Sequence, residues 1–120
     1  MDLRIVASAL TLSICACSNL EATTDSAKSL QLFKNYALST CVSDGYSSQE
    51  VVSDAAAAAR GYLEFGDLSL EAYTEATLLG RGFLKKGYKS KHGAKLTLMK
   101  CIDFKNSDEL LNIYKSHKNT

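Results

Sequence analysis

Apolar residues in this chain recur at three- and four-residue steps, the spacing that lines one face of an α-helix. Leu32, Phe33, Tyr36, Ala37 and Cys41 predict a first helix over about 29–42, ended by Ser43, Asp44 and Gly45. Ser47 with Glu50 three residues on reads as a capping box opening a second helix, which runs to about Phe65 and stops at Gly66. Asp67 or Ser69 caps a third helix reaching about Lys86, with Leu70, Tyr73, Ala76, Thr77, Gly80, Phe83 and Leu84 on its apolar face. Lys85 and Lys86 complement its C-terminal dipole and Gly87 ends it. A fourth helix over about 94–104 carries Leu96, Met99 and Ile102, with Cys101 alongside. A fifth starts at a Ser107 cap, reaches about Ser116 and buries Leu110, Leu111 and Tyr114. Sustained two-residue alternation is missing, as is any solenoid period. The expected fold class is all-α, a small bundle of about five helices.

Two features inside the helices have more than one reading. Five consecutive alanines, Ala55 to Ala59, permit close helix approach, either as core packing within the chain or as a seam between two copies. Gly61, one turn on, adds to that smooth face. Tyr36, Tyr62, Tyr73 and Tyr114 sit at helical spacing and read as core-edge residues.

The N-terminus has a different character. Arg4 precedes an apolar stretch of about ten residues, which fits a secretory signal and is too short to span a bilayer as a helix. Residues 1–17 are therefore expected to be a signal peptide. Ile14-Cys15-Ala16-Cys17 has the form of a lipobox, which would leave a lipid on Cys17; ordinary signal cleavage is the other reading. Residues 18–28 are mostly polar and are expected to be a flexible tether leading to a domain over 29–120.

Export changes the meaning of the cysteines. Of the four, Cys15 and Cys17 belong to the signal region, which leaves Cys41 and Cys101 as one interior pair. An oxidising compartment favours a disulfide between them. The functional alternative is a nucleophilic thiol with His92 or His117 as its base. The cysteines and histidines lack zinc-ligand spacing, and no metal or cofactor is expected.

With 120 residues, 46% hydrophobic and 22% charged, the chain has room for one globular domain. A net charge of +1 hides a strong asymmetry. Residues 19–80 carry nine acids and three bases, whereas residues 81–120 carry ten bases and three acids. From Arg81 to Lys100 there are seven bases and no acid. Read plainly, this is a solvated lysine face; read functionally, it meets an anionic surface such as lipid headgroups, cell-wall polymer or an acidic protein. Nucleic acid is not expected, because an exported chain with a single arginine in this stretch has little for base reading. Catalysis is not expected either. The sequence has no nucleophile elbow, phosphate-cradling loop or His-Glu-x-x-His pair, and its acids read as caps and solvated faces.

Three stretches together resemble a known family: 35–41 (Asn-Tyr-Ala-Leu-Ser-Thr-Cys), 54–66 with its alanine run, and 96–104 with Met99, Lys100 and Cys101. The chain resembles the type VI secretion amidase immunity proteins of family 4, within the wider Rap-like group, over residues 29–116. The resemblance implies a small exported all-α domain, paired as a homodimer in the periplasm of a Gram-negative cell. It implies a structural Cys41–Cys101 bridge. The implied partner is a peptidoglycan amidase of papain-like cysteine peptidase type, whose active-site cleft the protein occludes. The glycine-bounded loop at 87–93 is the candidate plug, with Tyr88, Lys89, Ser90, Lys91 and His92 as contacts. Glu71 and Glu75, one turn apart on the third helix, are a second candidate contact. The competing reading is a lipoprotein, anchored through Cys17, whose basic C-terminal half binds cell wall or an anionic surface.

Overall fold

The computed structural model describes residues 18–119, with side chains from Thr24 onward. The expected signal peptide, including Cys17, lies outside the described residues. Within them are five helices and no strand: α1 (Ser18–Gly45), α2 (Gln49–Phe65), α3 (Leu70–Leu84), α4 (Thr97–Lys105) and α5 (Asp108–Lys118). The all-α expectation holds.

α1 is the axis of the bundle and packs against each of the other four helices. Phe33, Ala37 and Cys41 succeed one another at four-residue steps on its buried face. α3 answers with Ala72, Tyr73, Ala76, Gly80 and Phe83. α4 contributes Cys101 and Phe104, and α5 contributes Leu110 and Tyr114. The core is rich in rings. Tyr73 meets Phe33 and Tyr36 edge-on, with centroids 5.6 and 4.8 Å apart, and Phe83 lies 5.4 Å from Phe104. Such pairs add about 0.5–1.5 kcal/mol each beyond the area they bury. Tyr36 and Tyr62 are half-buried, as expected of core-edge residues, whereas Tyr73 and Tyr114 belong to the buried core.

The Cys41–Cys101 disulfide ties the end of α1 to the middle of α4 across 60 residues of chain. Both residues are buried, at 1% and 0% exposure. The nucleophilic-cysteine alternative is thereby removed. His92 lies exposed in a loop, and His117 binds Ser69 and Glu75.

Several boundaries differ from the sequence reading. The helix extends back to Ser18, so residues 18–28 are helical where a flexible tether was expected. A tertiary contact reaches this polar segment, the Tyr114 hydroxyl donating to the Ser26 carbonyl, and just beyond it the buried Ser29 donates to Asp67. The Ser47–Glu50 capping box does not form. Ser48 is the N-cap of α2, without a side-chain cap bond, and Glu50 falls one position early for the reciprocal contact. Of the alanine run, Ala55 and Ala59 are buried, while Ala57 and Ala58 face outward. A Cβ at Gly61 would meet nothing within 4 Å, so no close approach among the described residues depends on it. Leu70 is 73% exposed and does not belong to the buried face of α3. The expected fifth-helix cap does form, with Ser107 Oγ accepting from the Leu110 amide at 3.2 Å.

The C-terminal helix is latched by an ionic cluster. Lys118 Nζ donates to Asp67 at 2.6 Å, and Ser29 Oγ donates to the other carboxylate oxygen at 2.5 Å. The lysine bond first, then the serine bond, hold the Asp67 carboxyl below its usual value. The same bond to Asp67 raises Lys118. A depressed acid contributes stability above its unfolded value, near pH 4, and loses it as the pH falls through the lower folded value. Lys118 behaves conversely, contributing up to about pH 10 and losing that contribution above its raised value. Urea midpoints of wild type and Asp67→Asn should therefore differ by a constant amount near neutrality and converge on acidification below about pH 4. The side chains are 34% and 53% exposed, so the difference is small. A gap unchanged down to pH 2 would assign the effect to packing instead.

Candidate binding site

The chain between α3 and α4 carries five lysines and no acid. α3 closes by tightening its last turn, with the Lys85 and Lys86 amides donating to Gly82 and Phe83. Lys86 Nζ lies 3.5 Å over the Phe83 ring. The loop then leaves the bundle at Gly87 and returns through Gly93, whose φ of +72° a side-chain-bearing residue adopts only with strain. At the tip, Ser90 Oγ accepts from the His92 amide at 3.3 Å.

The structure pins the loop at its base. Tyr88 Oη donates to Asp103 Oδ2 on α4 at 2.5 Å, and Lys100 Nζ lies 5.8 Å over the Tyr88 ring. Donation to the carboxylate stabilises the neutral phenol and raises Tyr88 above its ordinary value. Lys100 also donates to the Leu84 carbonyl at 3.1 Å, joining α4 to the end of α3. Tyr88 and Ser90 are half-buried, whereas Lys89, Lys91 and His92 are exposed. Of the five expected loop contacts, three stand free at the tip and Tyr88 holds the base.

The acidic pair lies elsewhere. Glu75 accepts from His117 Nε2 at 3.1 Å, and Ser69 Oγ lies 3.2 Å from the other ring nitrogen. Glu71 is exposed near the start of α3. Ten to fourteen residues of helix separate this pair from Lys85, about 15–20 Å along the axis. The loop and the glutamates therefore do not form one site.

α4 holds what the sequence reading missed. Leu98, Met99 and Ile102 are 51%, 51% and 43% exposed, although Met99 and Ile102 belong to the apolar series that marks this helix in the sequence. On a wheel of 100° per residue, Met99 and Ile102 lie about 170° and 130° from the Cys101–Phe104 midline. Burial of the disulfide therefore forces them outward. The signal was present: fixing Cys101 inside fixes the face. These side chains and the Gly45–Ser47 corner border an apolar groove of about 710 Å³. Leu96 starts its wall in a left-handed conformation, φ 54° and ψ 32°, which costs about 1–2 kcal/mol in a non-glycine residue.

A family model described as "Type VI secretion system (T6SS), amidase immunity protein" (Tai4) matches residues 31–114. The chain belongs to the Tai4 family. The matched span runs from α1 into α5 and takes in both disulfide cysteines, the 87–93 loop and α4. Two solved structures agree with the Tai4 assignment. One, of the effector–immunity system Tae4/Tai4 from Salmonella typhimurium, has a TM-score of 0.68 and 36% identity over 72% of this chain and 85% of its own. The other, the Tae4–Tai4 type VI effector–immunity complex from Enterobacter cloacae, has a TM-score of 0.66 and 25% identity over 71% and 87%. No curated protein matches the chain. Among the described residues, no helix is long and apolar enough to cross a membrane.

Proposed function

We propose that this Tai4 protein acts in the periplasm, where it binds a type VI peptidoglycan amidase and occludes its active-site cleft with the loop carrying Tyr88, Lys89, Ser90, Lys91 and His92. The observation that carries this reading is family membership over a span that includes the loop. The geometry supports it. A papain-like cleft must keep its nucleophile open to substrate, and a projecting loop blocks it without chemistry. Pinning by Tyr88–Asp103 and by the Lys100 bond to α3 lowers the ordering cost of binding. The exposed lysines raise encounter rates with an acidic partner. The chain itself has no enzymatic role in this reading.

Homodimerisation belongs to the same proposal. Phe65, Leu70 and Leu78 are 75%, 73% and 59% exposed on the α2–α3 side, an apolar surface available to a second copy. Export through the N-terminal segment delivers the protein to the compartment where the amidase acts, with or without a lipid on Cys17.

The test is inhibition. The purified chain is titrated into the amidase while peptidoglycan cleavage is followed, and both proteins are directed to the periplasm of a sensitive strain. Stoichiometric inhibition and rescue from lysis are expected. Replacing residues 89–92 by glycine and serine should weaken inhibition at least about tenfold, since a few central contacts dominate such interfaces. Full inhibition by the loop-replaced protein would refute occlusion by this loop.

A further inference from the structure

The apolar groove does not end at its own rim. A second recess of about 420 Å³ adjoins it and shares Gly45, Ala94, Lys95 and Thr97. The two differ in chemistry. Leu98, Met99 and Ile102 make the groove apolar, while Lys86, Lys95 and Lys100 line the recess. The recess contains one acid, Asp44, and Arg81 already pairs with it at 3.1 Å. The nearby Asp103 is engaged by Tyr88. The ammonium groups of the recess thus lack a carboxylate, and an apolar hollow lies directly beside them.

We propose that groove and recess together form a second contact on the amidase, taking a surface segment in which an apolar side chain adjoins a carboxylate. This rests on the occlusion reading above and extends it. Three observations select that occupant. Residues 94–96 run from the plug loop straight into the groove wall, so a protein seated on the loop also covers the groove mouth. The lysines complement a carboxylate and repel another basic surface. A second copy docked here about a two-fold axis would bring Lys86, Lys95 and Lys100 of both copies into one interface, where the recess's one acid, Asp44, is already paired with Arg81, which disfavours self-association at this face.

The contact is tested with Met99→Asp, Lys95→Glu and their combination in the full mature chain, titrated with the amidase that the chain inhibits. Met99 is exposed, so the fold should survive, and a wild-type thermal midpoint under non-reducing conditions checks this. Lys95→Glu probes the same site without touching the apolar wall. Met99→Asp should raise Kd about tenfold or more. Lys95→Glu should slow association and flatten its dependence on salt. Wild-type affinity in both variants, alongside weakened binding by the loop replacement, would overturn the second contact and leave occlusion standing. Absence of amidase binding by the wild-type chain would overturn both. A fall in sedimenting mass for Met99→Asp with unchanged amidase affinity would assign the groove to a second copy and overturn the proposal.

Discussion

Cys41→Ser together with Cys101→Ser is expected to lower the stability of the folded chain by about 4 kcal/mol. The bridge closes 60 residues, and the entropy of a loop that long in the unfolded chain accounts for a loss of this size. The local structure adds to it. α4 has nine residues, too few to persist as an isolated helix, and it buries only Cys101 and Phe104. The disulfide is thus one of its two buried anchors. For a domain whose total stability is on the order of 5–15 kcal/mol, the loss is a large share. Urea unfolding with and without reductant measures it. The double variant should match reduced wild type and fall well below the oxidised protein. Coincident midpoints for oxidised wild type and variant would refute the claim. A functional loss should follow. Asp103 sits two residues from the bridge and holds Tyr88, so a loosened α4 frees the base of the loop and weakens amidase binding.

The parts of this structure legible in sequence are those fixed by local chemistry. Ser107 caps α5 because a hydroxyl three residues before a free amide satisfies it wherever the helix sits. The pairing of the two interior cysteines was expected from parity and from reading the N-terminus as an export signal, without knowledge of the fold. The parts that stayed hidden depend on what lies opposite. Residues 18–28 look unstructured in isolation, and the contacts that bear on them come from far along the chain: Tyr114, about 90 residues away, bonds Ser26, and Asp67, about 40 residues away, bonds the adjoining Ser29. The apolar residues of α4 outnumber the positions its core contact can cover, so composition alone could not say which face turns inward. The loop was legible as a glycine-bounded segment, but its pinning by Asp103 required α4 to be placed first. The glycines show the same limit. Gly61 was expected at a close approach, yet the tight positions are Gly45, against Thr97 and Leu84, Gly66, against the Tyr73 hydroxyl, and Gly80, against Phe104.

Gly80 and Gly82 should therefore respond in opposite directions to added side chains. They lie two residues apart near the end of α3, on opposite faces. By helix propensity alone, both positions favour alanine over glycine by about 1 kcal/mol in a helix interior. At Gly82 a new Cβ meets nothing within 4 Å, so Gly82→Ala should stabilise by about 0.5 kcal/mol, less than the interior value because the helix is ending. At Gly80 a Cβ would sit 2.8 Å from one ring carbon of Phe104, with two others at 3.2 and 3.3 Å. That ring is 1% exposed, rests against Phe83, and belongs to the helix held by the disulfide. It has nowhere to move. Gly80→Val adds two further methyl groups to the same clash and should cost about 3 kcal/mol, outweighing any gain in propensity. Truncating the ring should relieve the conflict. In Phe104→Leu the further penalty of Gly80→Val should shrink by about 1 kcal/mol or more, because contacting residues couple by this much. Denaturant unfolding of the four proteins in the cycle measures it. An undiminished penalty in the Phe104→Leu background would place the cost of valine elsewhere than at the α3–α4 contact.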